Sequence, residues 1–228
     1  MLLPFLYQNR SQKNIELQFY KTKNNFLNKK NRQVCMICKN FQLHLLCKRK
    51  KLMETKKNIE NTAARLFYEQ GYNSTGINQI IAEAGVAKAS LYAHFPSKVD
   101  LLKSYLKNTS VSSNEVLRSI VNQKQTPQEK VLSIFDFLVK FSNETNFNGC
   151  HFLNIAAEIP QNNQDILILI QDQKNKIREL FVEILEPIHN EALADELYIL
   201  FEGALASSKV FKEDWTIEAT RRIVEKLL

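Results

Sequence analysis

Four polar side chains crowd one short stretch, GCHFLNIAAE at 149–158. Cys150, Asn154 and Glu158 recur every four residues, so on a helix they share a face. Turned toward a cavity, they would be the few polar groups that orient a small ligand. Phe137, Phe141 and Phe181, on flanking apolar segments, would supply its walls or simply fill a core. Cys150 could act as a thiol sensor if its pKa is lowered; the competing reading is an inert, buried thiol. Cys150 and His151 make a poor nucleophile–base pair, because neighbouring residues on a helix project about 100° apart. Metal ligation by Cys150, His151 and Glu158 is a weaker reading still.

A second group of soft ligands lies upstream. Cys35, Cys38, His44 and Cys47 give C-x2-C-x5-H-x2-C, four groups that could hold zinc tetrahedrally. The spacing matches no supported zinc pattern, so no metal is assigned. The chain carries no Gly-rich phosphate loop, nucleophile elbow or paired-metal spacing. A helical enzyme built on Cys150 is therefore a minor alternative, and no cofactor is expected.

The third constellation is STGINQIIAEAGVAKASLYAHFPSK, at 74–98. Ile77, Ile80, Ile81 and Ala84 fall at helical spacing. Gly85 stands where a helix would end in the left-handed conformation. Val86 plugs the angle, and 88–95 forms a second helix with Leu91 and Phe95 inward. Lys88, Ser90, Tyr92 and His94 are left on outer faces, and Pro96 stops the helix. A short exposed helix after a Gly turn suits a recognition helix in a major groove. Before it, Ile59, Ala63, Leu66 and Phe67 mark a preceding helix face that Gly71 terminates. Thr75 can cap the next helix with its hydroxyl.

From about Thr55 to Leu102 the pattern resembles the DNA-binding signature of the TetR/AcrR family of transcriptional regulators. The resemblance implies an all-α protein: a three-helix helix-turn-helix head at 53–105, then a helical ligand-sensing and dimerisation body at 106–228. It implies that Thr55, Lys56, Thr75 and Lys98 meet DNA phosphates, which position the protein. Lys88, Ala89, Ser90, Tyr92 and His94 match positions turned toward the groove. Lys88 would read guanine and Ala89 would pack on a thymine methyl. The ring of Tyr92 has a bracing role as its alternative, and His94 that of a solvated surface histidine. Ala87 departs from the Ser or Thr of many relatives, which removes a cap worth about 1 kcal/mol.

Charge is unevenly spread over the 228 residues. The net of +7 comes from 1–52, which holds twelve Lys and Arg against one acidic residue. The head is nearly neutral and the body is acidic, so DNA binding rests on local placement rather than bulk charge. The segment 1–52 shows no sustained period and ends in KRKK before Met53. It reads as a disordered tail or spurious extension with Met53 the natural start, and otherwise as a basic arm for phosphates. No apolar run approaches the roughly twenty residues of a bilayer span. LLPFLY is too short for a signal-peptide core, so a cytoplasmic protein with reduced cysteines is expected.

The body reads as a bundle. A linking helix spans 98–123, the family's lever between head and body. Thr126-Pro-Gln-Glu129 is a capping box, opening the apolar VLSIFDFLVKF. Another bundle helix spans 163–185. The last two helices, about 191–211 and 216–228, imply by resemblance a four-helix homodimer interface through Phe201, Ala204, Ile217, Val224 and Leu227. Their alternative is to close the monomer's own core, with Trp215 anchoring the turn. The expected function is a homodimeric, effector-responsive repressor of a near-palindromic double-stranded DNA operator, with no membrane partner. An alternative is a regulator whose body binds a protein co-regulator instead of a small molecule.

Overall fold

A computed structural model describes residues 36–160 and 162–228, with side chains from Leu46 onward except Cys47. The described residues form nine α-helices and no strands: α1 (Met36–Glu69), α2 (Ile77–Ala84), α3 (Lys88–His94), α4 (Lys98–Val121), α5 (Pro127–Glu144), α6 (His151–Glu158), α7 (Gln164–Leu185), α8 (Glu191–Phe211) and α9 (Trp215–Leu227). The chain divides into two compact units, 1–55 and 56–228. In the first, 36–55 is helical and Leu46, Leu52 and Met53 are exposed. Helix therefore begins upstream of Met53, where the sequence shows no amphipathic period. Lys, Arg and Leu favour helix by propensity alone, which periodicity does not detect. The proposed zinc ligands Cys35, Cys38, His44 and Cys47 lie outside the described side chains.

In the second unit the helix ends follow their local chemistry. Gly85 takes φ +63°, its N–H bonding Ala82 O and that of Val86 bonding Ile81 O. Two carbonyls that α2 leaves unpaired are thereby satisfied. Ser97 caps α4 by accepting from the Asp100 N–H at 3.1 Å. The capping box at Thr126 and Glu129 is formed in both directions, 3.2 and 3.1 Å. These backbone hydrogen bonds hold the Glu129 carboxyl below its ordinary pKa.

One buried cluster runs without a break from head to body. Ile59, Leu66, Phe67, Ile80, Leu91 and Phe95 join Leu101, Leu102 and Tyr105 of α4. The same cluster takes in Phe152 and Ile155 of α6 and Ile166 and Ile170 of α7. Deeper in the body, Phe135, Phe181 and Phe201 pack at ring separations of 6.1 to 6.4 Å. This aromatic trio corrects two expectations. Phe181 fills core rather than lining a cavity, and Phe201 faces its own subunit. Ala204, Ile217 and Val224 are likewise buried inside the monomer, where α9 packs on α8 and α5. Of the five expected interface residues, only Leu227 is exposed. The apolar stripe through Ile217 and Val224 was real, but it is the core-facing one.

Candidate nucleic-acid interface and adjoining cleft

The recognition helix α3 stands on Leu91 and Phe95, both buried. Its opposite face presents Lys88, Ala89, Tyr92 and Ala93 to solvent. Ala87 is an N-cap with no side-chain bond, as its type dictates. Ser90 is half-buried. His94 is also half-buried, and its Nε2 is covered without a hydrogen-bond partner. Neither lies on the outer face assigned to it. Both sit on the flank of α3 that leans on the head.

Two expected phosphate contacts are spent elsewhere. Thr75 is fully buried; its hydroxyl donates to Gly71 O at 2.6 Å and accepts from Gln70 Nε2 at 3.1 Å. It closes the turn after α1 and caps nothing. The N-cap of α2 is the exposed Gly76, with no side-chain bond. Lys98 donates to Tyr72 O at 2.6 Å, with its ammonium 4.1 Å from the Tyr72 ring centre. Burial lowers its pKa, with Glu158 opposing. Lys56 is exposed and sits 3.8 Å from Glu60. Thr55, in the first unit, donates to Lys51 O.

Next to the head, a half-open cleft of about 390 Å³ brings Cys150, Asn154 and Glu158 to one wall. Phe67, Tyr68 and Gly71 of the head form a second wall, and Leu205, Ala206 and Lys209 of α8 a third. The shared face read from the four-residue spacing is thus present. Phe137, Phe141 and Phe181 are not among the cleft's lining residues. Phe137 and Phe141 stack on each other, and Phe141 lies against His151.

Each polar group of that wall has a partner. Glu158 accepts from the Asn73 N–H at 2.7 Å, and Asn73 Nδ2 donates to Glu158 O at 2.9 Å. Asn154 Oδ1 accepts from Lys209 Nζ at 2.5 Å. The Cys150 sulfur accepts from Lys174 Nζ at 3.1 Å, and Glu202 holds the same ammonium at 2.7 Å. Burial alone would lower the Lys174 pKa, but Cys150 and Glu202 carry it above its ordinary value. His151 turns away from Cys150: it stacks on Tyr68 at 3.7 Å, and its Nδ1 pairs with Tyr105 OH at 2.6 Å. Burial pushes His151 down to about 3. It is neutral at pH 7 and serves no thiol as base.

Sequence reading missed Lys174, Tyr68 and Lys209. Lys174 had a signal: it interrupts the Ile170–Ile177 stripe at helical spacing, where a charge needs a buried partner. Tyr68 and Lys209 had none.

Comparison with known proteins fits this arrangement. Residues 59–105 match the family described as bacterial regulatory proteins, tetR family. An uncharacterized HTH-type transcriptional regulator of Bacillus subtilis, YxaF, is 32% identical over 107 residues, 46% of this chain and 56% of its own length. The fatty acid metabolism regulator protein of the same organism is 28% identical over 148 residues, covering 64% of this chain and 70% of that protein. A crystal structure of a TetR-family transcriptional regulator from Streptomyces coelicolor superposes with a TM-score of 0.72 at 27% identity, covering 76% of this chain and 87% of that one. With its helix-turn-helix head and helical body, the chain belongs to the TetR family, whose members are DNA-binding transcriptional regulators rather than enzymes.

Proposed function

We propose that this chain is a homodimeric, effector-responsive repressor that binds a near-palindromic operator in the cytoplasm. The observation that carries the reading is α3: a short helix anchored by buried Leu91 and Phe95, with Lys88, Ala89 and Tyr92 free on its outer side. Such a helix can enter a major groove without unfolding its support. Lys88 and Tyr92 are its contact residues, with Ala89 against a thymine methyl. Phosphate contact at α2 comes from backbone N–H groups beyond the exposed Gly76, which the helix leaves unpaired. Lys56 adds charge there, while Thr75 and Lys98 hold the head together.

Two copies pair through the outer faces of α8 and α9. Ile199, Gly203, Ala206 and Val210 follow one another along α8, all exposed. Trp215, Ile223 and Leu227 are exposed on α9. An apolar stripe with small residues at its centre allows close helix approach between subunits. The cleft beside α6 is the effector site. Its volume favours a small molecule over a protein co-regulator.

Footprinting the purified protein on DNA upstream of its own coding region tests this reading. A protected near-palindrome of two half-sites about one helical turn apart is expected, and Tyr92→Ala should abolish protection while leaving the melting temperature unchanged. Equal protection by that variant would remove α3 from the interface.

A further inference from the structure

Cys150 is set apart from an ordinary buried thiol by three observations. Its sulfur lies 3.1 Å from the Lys174 ammonium. It lines a cleft open to solvent rather than a closed core. It is also the N-cap residue of α6, where unpaired N–H groups and the helix dipole favour negative charge. An ammonium and a helix N-terminus are the surroundings that stabilise a thiolate, the nucleophilic form of cysteine. Lys174 is fixed in place from its other side by Glu202, so its contact with the sulfur is not a chance excursion.

The cleft also says what the thiol meets. About 390 Å³ walled by Phe67, Leu153, Ala157 and Leu205 takes a small organic molecule, far more than a peroxide needs. Among the described residues Cys150 is the one free cysteine, so no described partner offers it a disulfide. Lys209, on the same cleft, makes one hydrogen bond among the described residues, to Asn154. An ammonium has three donors, which leaves Lys209 able to reach a ligand oxygen.

We infer that Cys150 is a covalent capture site for small α,β-unsaturated carbonyl compounds, with Lys174 as its positioning residue. The thiolate sulfur attacks the β-carbon and a C–S bond forms. The C=C π pair moves toward the carbonyl, giving an enolate whose oxygen Lys209 stabilises. The proton released by the thiol returns through water to the α-carbon. No oxidant is consumed, and Lys174 stays protonated. The adduct fills the cleft between α6 and the head, displacing the hydrogen bonds that join them. That last consequence rests on the regulator reading above; the capture does not.

The test uses the full chain and N-ethylmaleimide, with the rate followed on the Cys150 peptide by mass spectrometry so that the upstream cysteines do not interfere. Wild type should react at pH 7 about tenfold faster than Lys174→Gln, since an unperturbed thiol is only a few per cent thiolate there. Lys174→Arg should restore most of the rate, and the rise of rate with pH should begin lower in wild type than in Lys174→Gln. Should Lys174→Gln unfold because Glu202 is left unpaired, Lys174→Gln with Glu202→Gln replaces it. Equal rates in wild type and the variant overturn the proposal. So does a Cys150 that hydrogen peroxide oxidises but methyl vinyl ketone leaves unmodified. The adduct should weaken operator binding at least tenfold in wild type and not in Cys150→Ser; unchanged binding removes the consequence for DNA. A protein that binds no operator even before treatment refutes the proposed function and leaves the capture result standing.

Discussion

Lys88 and Lys98 carry the same charge at the two ends of the recognition segment, but the fold employs them differently. Lys88 is exposed, whereas Lys98 is tied to the Tyr72 carbonyl and ring. Lys88→Ala should therefore weaken operator binding, lower the salt slope by about one, and leave the melting temperature unchanged. Lys98→Met should do the reverse first, costing about 1 kcal/mol of stability through the lost hydrogen bond. Fluorescence anisotropy at several salt concentrations, beside calorimetry, separates the two. A Lys88→Ala protein with the wild-type salt slope contradicts the assignment. His151 gives a second residue-level prediction. Its folded pKa is near 3 against about 6.5 in an unfolded chain. Between those values the unfolded chain binds a proton that the folded one refuses. The stabilisation is thus complete above pH 6.5 and falls by about 1.4 kcal/mol per unit toward pH 3. Urea midpoints at pH 7.5 and 5 should differ less in His151→Gln than in wild type; an identical difference removes His151 as the cause.

Among the elements, α6 has a role that its sequence did not announce. It was read as a ligand-facing helix, with the linking helix as lever. In the structure Glu158 at its end holds the Asn73 backbone, and at its start Gly149 O accepts from the Tyr68 hydroxyl at 2.8 Å. Phe152 and Ile155 enter the same buried cluster as Phe67 and Leu102. Movement of α6 thus reaches the head directly, as well as through α4. Gly71 belongs to this contact: it takes φ +93°, and a Cβ there would stand 2.8 Å from Glu158 Oε1. Glu158→Ala should speed hydrogen exchange of the Asn73 amide and cost about 1 kcal/mol. Unchanged protection across 71–75 would show that this hydrogen bond does not hold the head. The helices themselves were legible in the sequence because apolar period, Gly85, Pro96 and the Thr126 box are local signals. The fates of Thr75, Lys98 and Glu158 were not, since each is decided by a partner far along the chain. Cys150 and Asn154 were found because spacing alone puts them on one face; what stands behind that face needed the fold.

For the whole molecule, the decisive question is which apolar stripes of α8 and α9 face inward. Each helix carries two. Sequence spacing finds both but cannot rank them, because burial inside one chain and burial between chains demand the same residue types. Phe201, Ala204, Ile217 and Val224 went to the monomer core. That leaves Ile199, Val210, Phe211, Trp215 and Ile223 exposed, at 66%, 76%, 54%, 47% and 48%. A lone exposed apolar residue needs no account, but a contiguous patch on two adjacent helices does. Pairing with a second copy would remove it from water and fix the separation of the two heads. Val210→Glu with Ile223→Glu should give a folded monomer by sedimentation, since neither side chain supports the core, and the monomer should lose operator affinity by orders of magnitude as one half-site is given up. Ile217→Glu should instead prevent folding, by burying an unpaired charge. A Val210→Glu, Ile223→Glu protein that still sediments as a dimer would place the interface elsewhere on the body.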